Sequence, residues 1–202
     1  MIAARAALIA ALLVASTTAQ AQQSDASDVA APLRPAVMAY RQGNVASAEQ
    51  ALRSLRTPSA DADAWLGAIL IERGATAEGL RLIQRAADAG SSEGQHRLGL
   101  IYARGDAGQP RNDARAAELF TKAAEQGHRR AQTNLGLLYL RGQGVPRDLV
   151  QARAWLEKAA SDNDPYAMYA LGRAMDDNAP PVAADPTRAA DLFRRAAEKG
   201  HH

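Results

Sequence analysis

The sequence contains no cysteine, and this absence excludes several kinds of chemistry at once. Without thiols the chain has no disulfide framework, no thiolate nucleophile and no cysteine ligand for a metal. A lipid anchor on a cysteine after an export signal is excluded for the same reason. The fold must therefore depend on apolar packing, and a chain of this length can bury about 70% of its unfolded surface.

A large excess of charge of one sign is also absent. The chain carries 24 basic and 22 acidic side chains, and the formal net charge of +2 provides no strong field for nucleic acid or an anionic membrane. Lysine is scarce, because 21 of the basic residues are arginines. Arginine suits bidentate contacts with carboxylates better than lysine does. We expect no nucleic-acid partner.

Catalytic motifs are missing as well. The chain has no Gly-x-Ser-x-Gly, no His-Glu-x-x-His and no phosphate-binding glycine-rich loop. Ser-x-x-Lys is absent, since Leu119, Trp155 and Ala196 stand three residues before the three lysines. These absences predict a binding protein that is not an enzyme and uses no cofactor.

The histidines do not predict a metal site. Two of them, His128 and His201, follow a glycine at the same place in a repeating pattern, and repetition explains them better than metal binding does. No carboxylate or third histidine is expected at ligand spacing. The four histidines are His96, His128, His201 and His202.

Only one long apolar run is present, and it lies near the start of the chain. Arg5 precedes ten apolar residues, Ala6 to Ala15, and Ala19-Gln20-Ala21 matches a small-x-small cleavage site. Ten residues are about half of what a membrane-spanning helix needs. Residues 1–21 are therefore predicted to be a signal peptide cleaved after Ala21, and we expect no membrane span in the mature chain.

The clearest pattern that is present runs from Ala131 to Lys158 and predicts two amphipathic helices. Its first half has apolar residues at i, i+4, i+7 and i+8, which share one helical face. The segment 142–146, Gly-Gln-Gly-Val-Pro, ends that helix. The two apolar faces consist of Ala131, Leu135, Leu138 and Tyr139, and of Ala152, Trp155, Leu156 and Ala159.

This helix pair recurs at a fixed period. The pairs Leu98-Gly99, Leu135-Gly136 and Leu171-Gly172 are 37 and 36 residues apart, and alanine pairs at the end of each unit repeat at the same spacing. A period between about 20 and 50 residues is typical of a solenoid.

The pattern A-x-x-x-L-G-x-x-Y-x-x-G-x-G-V-x-x-D-x-x-x-A-x-x-W-x-x-K-A-A resembles the Sel-1-like repeat, a relative of the tetratricopeptide repeat. Residues 131–160 match it at almost every position, residues 92–127 and 164–200 match well, and residues 61–90 are a shortened copy. The resemblance implies an all-α fold, a right-handed α/α solenoid of stacked antiparallel helix hairpins. It also implies a protein or peptide partner.

The predicted organisation follows from these repeats. A flexible leader spans residues 22–32, and a degenerate tetratricopeptide-like hairpin spans 33–58, with its turn at Gly43-Asn44. We expect this hairpin to act as an N-terminal cap of the solenoid. Residues 61–202 hold four repeats, which we place at 61–90, 91–127, 128–163 and 164–200.

Two further expectations concern the helices themselves. Glycine inside a helix costs about 1 kcal/mol, so four glycines that each follow a leucine in mid-helix predict close approach of the paired helix. These are Gly67, Gly99, Gly136 and Gly172. The predicted caps of the second helices are Thr76, Asp113, Asp148 and Asp185, and the predicted core aromatics are Trp65, Phe120, Trp155 and Phe193.

By resemblance to tetratricopeptide domains, the first helix of each repeat lines a concave groove. The positions at −5, −2, +2 and +6 from the leucine of Leu-Gly form one helical stripe, which we predict to face outward. The groove residues are therefore predicted to be Glu93, His96, Leu100, Arg104, Arg130, Thr133, Leu137, Arg141, Tyr166, Tyr169, Arg173 and Asp177. The alternative is an ordinary solvated face.

Together these features predict a periplasmic or secreted adaptor or scaffold of the bacterial cell envelope. One alternative is an enzyme or binding protein that acts on cell-wall material or β-lactams, and another is a self-assembling structural component. The last helix carries Leu192 and Phe193 at neighbouring positions, one of which is expected to face outward. This predicts an end-to-end homodimer through the C-terminal helix, unless Arg194 and Arg195 cover that surface.

Overall fold

The computed structural model describes residues 29–161, 164–176 and 185–198. The predicted signal peptide and leader residues 22–28 lie outside these ranges. The chain divides into two compact units, residues 1–51 and 52–202, and each is described by itself.

The first unit contains a short 3-10 turn, Ala31–Leu33, helix α1, Arg34–Arg41, and most of helix α2, Val45–Arg53. The turn between the helices is where the sequence predicts it, because Gly43 has a φ of +79° and Asn44 accepts a hydrogen bond from the N–H of Ser47. Apolar side chains of both helices are buried, among them Val37 and Ala48. The role of this hairpin as a cap stays a prediction.

The described part of the second unit holds eight helices and no strand. They form four hairpins, which confirms an all-α solenoid of stacked helix pairs. The first helix and the second helix of the four repeats are α3 (Ala60–Glu72) and α4 (Thr76–Asp88), α5 (Ser92–Arg104) and α6 (Asp113–Glu125), α7 (Arg129–Arg141) and α8 (Leu149–Ala160), and α9 (Pro165–Asp176) and α10 (Pro186–Glu198).

The core is a series of apolar clusters, each shared by neighbouring repeats. One cluster joins Ile83 of α4 with Leu98 of α5, and the next joins Phe120 of α6 with Leu135 of α7. The last one places Leu156 of α8 against α9 and α10. Each repeat therefore completes its apolar core against the adjacent repeats, as expected for a solenoid.

The mid-helix glycines lie at the closest approach of the paired helices, as predicted. A Cβ atom on Gly67 would stand 2.6 Å from the carbonyl oxygen of Gly79, and one on Gly136 would stand 2.6 Å from Cγ of Leu156. Both distances are shorter than van der Waals contact. In the second and fourth repeats, a Cβ on Gly99 or Gly172 would stand 2.7 Å from the ring of Phe120 or Phe193.

The caps of the second helices agree with the prediction in two repeats. Asp148 accepts hydrogen bonds from the N–H groups of Val150 and Gln151, and Asp185 accepts one from the N–H of Arg188. The prediction is wrong for Thr76, which is the first residue of α4 and follows Ala75, a residue without a capping side chain.

The prediction is also wrong for Asp113. The cap of α6 is Asn112, whose side-chain oxygen accepts a hydrogen bond from the N–H of Arg115 at 2.9 Å. Asp113 is the first helical residue, and its carboxylate pairs with Arg111 at 2.9 Å. An amide oxygen caps a helix as well as a carboxylate does, and a negative charge in the first turn complements the helix dipole.

The two apolar residues of the last helix both pack into their own repeat. Leu192 is buried, and half-buried Phe193 lies against Gly172 with its ring centroid 5.5 Å from that of Tyr169. The expectation that one of them faces outward is wrong, since Gly172 makes room for Phe193 as Gly99 does for Phe120. The end-to-end homodimer remains a prediction, but an outward-facing apolar residue on the last helix no longer supports it.

We expect Gly67→Ala to destabilise the protein by about 1 to 3 kcal/mol, although alanine favours an exposed helix by about 1 kcal/mol. The added methyl group would meet a backbone carbonyl that cannot rotate away. Gly136→Ala should cost less, because Leu156 can change its rotamer. Urea unfolding followed by circular dichroism measures both, and an unchanged or raised midpoint for Gly67→Ala would contradict the packing argument.

Candidate functional site

The first helix of every repeat begins at a capping side chain in the same position. Each of these side chains accepts a hydrogen bond from a backbone N–H in the first helical turn, which satisfies a donor that has no partner within the helix. The caps are Ser59, Ser91, His128 and Asp164, at 3.1, 2.9, 3.2 and 2.9 Å from the N–H groups that they accept.

Two of these caps also bind the preceding repeat. The hydroxyl of Ser91 donates to Asp61 at 2.5 Å, and Nε2 of His128 lies 3.0 Å from Oε2 of Glu93. Asp61 and Glu93 occupy the same place, five residues before the leucine of Leu-Gly. One side chain thus caps the first helix of its repeat and also forms a hydrogen bond to the first helix of the preceding repeat. We call this arrangement the cap link.

The cap link at Glu93 extends back to the first repeat. Nε of Arg97 lies 2.5 Å from Oε1 of Glu93, and the guanidinium carbon of Arg97 lies 3.9 Å from the ring centroid of Trp65. Burial raises the pKa of Glu93, but the charge of Arg97 and the hydrogen bond to His128 outweigh it and hold that pKa well below its usual range. Glu93 therefore stays ionised.

His96 is the second unusual group in this cluster. Its side chain is buried, its ring stacks on that of His128 with 4.5 Å between centroids, and its Nε2 lies 3.3 Å from Nδ2 of Asn134. Its Nδ1 is buried without a hydrogen-bond partner among the described residues. Burial, which disfavours the charged form of the ring, lowers the pKa of His96 well below 6.5. His96 therefore stays neutral.

The expectation that no carboxylate lies at ligand distance from the histidines is wrong. Ligand atoms of Glu93, His96 and His128 lie within 4.8 Å of one another. The hydrogen bonds nevertheless fit a structural link better than a metal centre. Because Nδ1 of His128 accepts from the N–H of Ala131, its proton must be on Nε2, where it points at Glu93. A metal at Nε2 would require that proton to leave and the helix cap to break.

Sequence reasoning missed this cluster because its members come from different repeats. Glu93 and His96 are three residues apart on one helix, which places them on one face. His128 is 35 residues from Glu93 and reaches it only because the third repeat stacks on the second. The one available signal was that the residue at −5 in one repeat and the capping residue of the next repeat have complementary chemistry. After Glu93 and His128, the next such pair is Arg130 and Asp164.

The predicted groove residues fall into two groups. Those at −5 and −2 in the second and third repeats are covered: His96 and Thr133 are 4% and 3% exposed, and Glu93 takes part in the cap link. The prediction that His96 and Thr133 face outward is wrong. The ring of His128 in the next repeat lies over His96, and Thr133 is buried with its hydroxyl donating to the carbonyl of Arg129 in its own helix. Arg130 and Leu137 are half-buried, as is Leu100, and Asp177 lies outside the described residues.

The second group is at the surface. Arg104, Arg141 and Arg173 are exposed, and Tyr166 and Tyr169 are 36% and 37% exposed. We call these five residues the Arg–Tyr face. Burial of the Tyr166 hydroxyl raises its pKa, while the charges of Arg141 and Arg104 act in the opposite direction. Side chains from the second, third and fourth repeats therefore lie close enough to influence one another.

The repeat pattern has a clear match among known families. The Sel1 repeat matches residues 61–91, 92–128, 129–164 and 165–201, which is most of the chain and lies one residue from the boundaries expected from sequence. The chain belongs to the Sel1 repeat family. Sel1 repeats generally mediate protein–protein interaction and are typically not enzymes.

Solved structures of Sel1 repeat proteins are similar to this one. The Sel1 repeat protein from Oxalobacter formigenes is 29% identical, with a TM-score of 0.69 over 85% of this chain and 70% of its own. The protein c5321, a protective antigen present in uropathogenic Escherichia coli strains, is 28% identical, with a TM-score of 0.66 over 78% of this chain and 33% of its own. This Sel1 repeat chain thus spans a third of the length of c5321. A comparison of its sequence with curated proteins found no match.

Buried neutral His96 should make stability depend on pH. The unfolded chain binds a proton near the usual pKa of 6.5, whereas the folded protein does not until its lowered pKa is reached. The stability is therefore complete above pH 6.5 and is lost as the pH falls toward that lowered pKa, by up to about 1.4 kcal/mol per pH unit. Urea unfolding at a series of pH values between about 7.5 and 5 measures this loss.

His96→Thr is the matched variant, because Thr133 occupies the same position in the next repeat. We expect its stability to depend less on pH over the same range than that of the wild type. Glu93 titrates below this window and does not interfere. Parallel pH curves for the two proteins would contradict the assignment.

The cap link can be measured by a double-mutant cycle of Glu93→Gln and His128→Asn. Asparagine keeps a capping oxygen but does not reach Glu93. We expect a coupling energy of about 1 to 3 kcal/mol, because the hydrogen bond involves a buried charge. Additive effects of the two changes would mean that the two side chains do not stabilise one another.

Proposed function

We propose that the protein is an exported adaptor of the bacterial cell envelope, which binds a protein or peptide partner on its Arg–Tyr face. The observation that carries the proposal is the exposure of Tyr166 and Tyr169 on one first helix, next to arginines of neighbouring repeats. Tyrosine and arginine are the side chains that most often anchor protein interfaces.

The position of this face supports its assignment over other surfaces. It is formed by the first helices of three repeats, so that one extended partner could contact all of them. In the part of the chain that the structure describes, the other exposed large apolar side chains are Met38 and Val150, and single exposed apolar residues are normal on any protein. Solenoids commonly present an extended surface of this kind to a partner.

The envelope location rests on residues 1–21, whose charged start, apolar run and cleavage site are typical of a signal peptide. Within the described ranges, none of the helices combines the length and hydropathy required to cross a bilayer. We therefore propose export with cleavage after Ala21, which leaves Gln22 as the first residue.

Photocrosslinking in the native cell tests the surface. Benzoylphenylalanine in place of Tyr169 should form adducts with a discrete protein, identified by mass spectrometry, because this side chain lies within the proposed contact. The matched control replaces Arg115, an exposed residue on the second helix of repeat two. Adducts from the Arg115 position alone, or equal adducts from both, would contradict the assignment.

Export is tested separately by cell fractionation of the full-length chain. We expect the protein in the periplasmic or secreted fraction, with an intact mass that corresponds to a start at Gln22. A full-length mass in the cytoplasmic fraction would exclude the envelope location while leaving the binding surface untouched.

A further inference from the structure

The exposed arginines of this protein differ in whether an acid neutralises them. On the second helices most are paired, for example Arg115 with Glu118 at 2.6 Å and Arg188 with Glu157 at 2.9 Å. On the first helices the exposed Arg104, Arg141 and Arg173 have no acidic partner among the described residues. The chain has nearly as many acids as bases, so these three arginines on the first helices form a local excess of positive charge.

The helix dipole accounts only in part for the presence of two of these arginines. Arg104 and Arg141 stand in the last turns of α5 and α7, where a positive charge complements the helix dipole. The interaction with the helix dipole does not require both charges to influence the pKa of the same tyrosine. Both nevertheless act on the hydroxyl of Tyr166, in the first turn of α9. The packing agrees with this, because Tyr102 in the last turn of α5 belongs to the same apolar cluster as Leu138 of α7, so the two arginines lie on neighbouring helices.

The described acid next to Tyr166 is already engaged. Asp164 precedes Tyr166 and opposes the effect of the arginines on its pKa. Oδ1 of Asp164 accepts hydrogen bonds from the N–H groups of Tyr166 and Ala167, at 2.9 and 3.0 Å, and caps α9. The positive charge of the Arg–Tyr face thus remains available to an external anion.

We propose that the partner of the Arg–Tyr face is a peptide segment with carboxylates, which Arg104 and Arg141 bind while the tyrosine rings contact its apolar side chains. This inference rests on the proposed function and specifies the chemistry of the partner. Arginine presents a planar fork of donors that matches a carboxylate, and two arginines in successive repeats select two carboxylates.

The repeat spacing sets the spacing of those carboxylates. Packed helices lie about 8 to 10 Å apart, and an extended peptide advances about 3.3 Å per residue. Carboxylates about three residues apart should therefore match arginines from successive repeats. One helical turn before these arginines the half-buried Leu100 and Leu137, at equivalent positions, offer apolar contact to the other residues of the peptide.

A mixed surface of this kind favours a peptide over a polyanion. Polyanion binding depends on many phosphate contacts and a large positive field, whereas the net charge here is only +2. Half-buried leucines and tyrosines beside the arginines match a partner that has both acidic and apolar side chains. A single-stranded oligonucleotide is accordingly the competitor that the experiment includes.

The test measures fluorescence anisotropy with two labelled peptides, acetylated and amidated. One has glutamate at every third position with leucine and alanine between, and the other has glutamine in place of each glutamate. We expect the glutamate peptide to bind at least about tenfold more tightly, and added salt to weaken it, because the arginines are exposed. Arg104→Gln with Arg141→Gln should remove that preference.

The chain offers a matched control for net charge. Arg56 and Arg81 are exposed and also have no acidic partner among the described residues, but neither lies on the first helix of a repeat. Arg56→Gln with Arg81→Gln should change the affinity for the glutamate peptide by less than about twofold. Circular dichroism of both double variants checks that they remain folded.

The inference would be overturned by equal binding of the two peptides, including no saturable binding of either. Equal losses of affinity for the glutamate peptide in the two double variants would also overturn it. So would tighter binding of the oligonucleotide than of the glutamate peptide. If crosslinks form from the position of Tyr169 while the peptides fail, the carboxylate inference is wrong and the proposed binding surface stands. If those crosslinks fail as well, the surface itself is wrong.

Discussion

The close approach of the two helices in each repeat is the constraint on which the rest of the structure depends. At Gly67 a Cβ atom would stand 2.6 Å from a backbone oxygen, so only the absence of a side chain allows the helices to pack at this distance. Close packing orients the apolar faces of the hairpin toward the next repeat, where clusters such as that of Phe120 and Leu135 form. A wider hairpin would misplace every later contact.

The cap link adds polar specificity to this apolar stacking. Apolar clusters tolerate small shifts, but the hydrogen bonds of Ser91 and His128 to the preceding repeat require one register between helices. Because each cap also begins its own helix, the start of a helix and its position against its neighbour are determined by the same side chain. Burial of the ionised Glu93 is tolerated since Arg97 and His128 both contact it.

The same stacking separates the first helices into a structural part and an exposed part. Side chains in the early turns of α5 and α7 form contacts between repeats, whereas Arg104 and Arg141 in the late turns are exposed. In this Sel1 repeat protein the surface proposed for binding therefore combines exposed arginines of these late turns with Tyr169, whose ring also contacts Phe193. Substitution of Arg104 or Arg141 should alter partner binding without altering the fold, because both side chains are exposed and have no acidic partner among the described residues.

The sequence by itself determined the local structure of this protein. The Leu-Gly period, the helical spacing of apolar residues and the capping residues Asp148 and Asp185 all act within one hairpin, where chain connectivity already sets the distances. The tertiary structure decided which side chains of that stripe stay exposed. A helical wheel places His96 beside Arg104 on one face, yet His96 is buried because the third repeat stacks over it and His128 covers its ring. That contact depends on how one repeat rotates against the next, which is a property of packing between hairpins and is not encoded in the spacing within one.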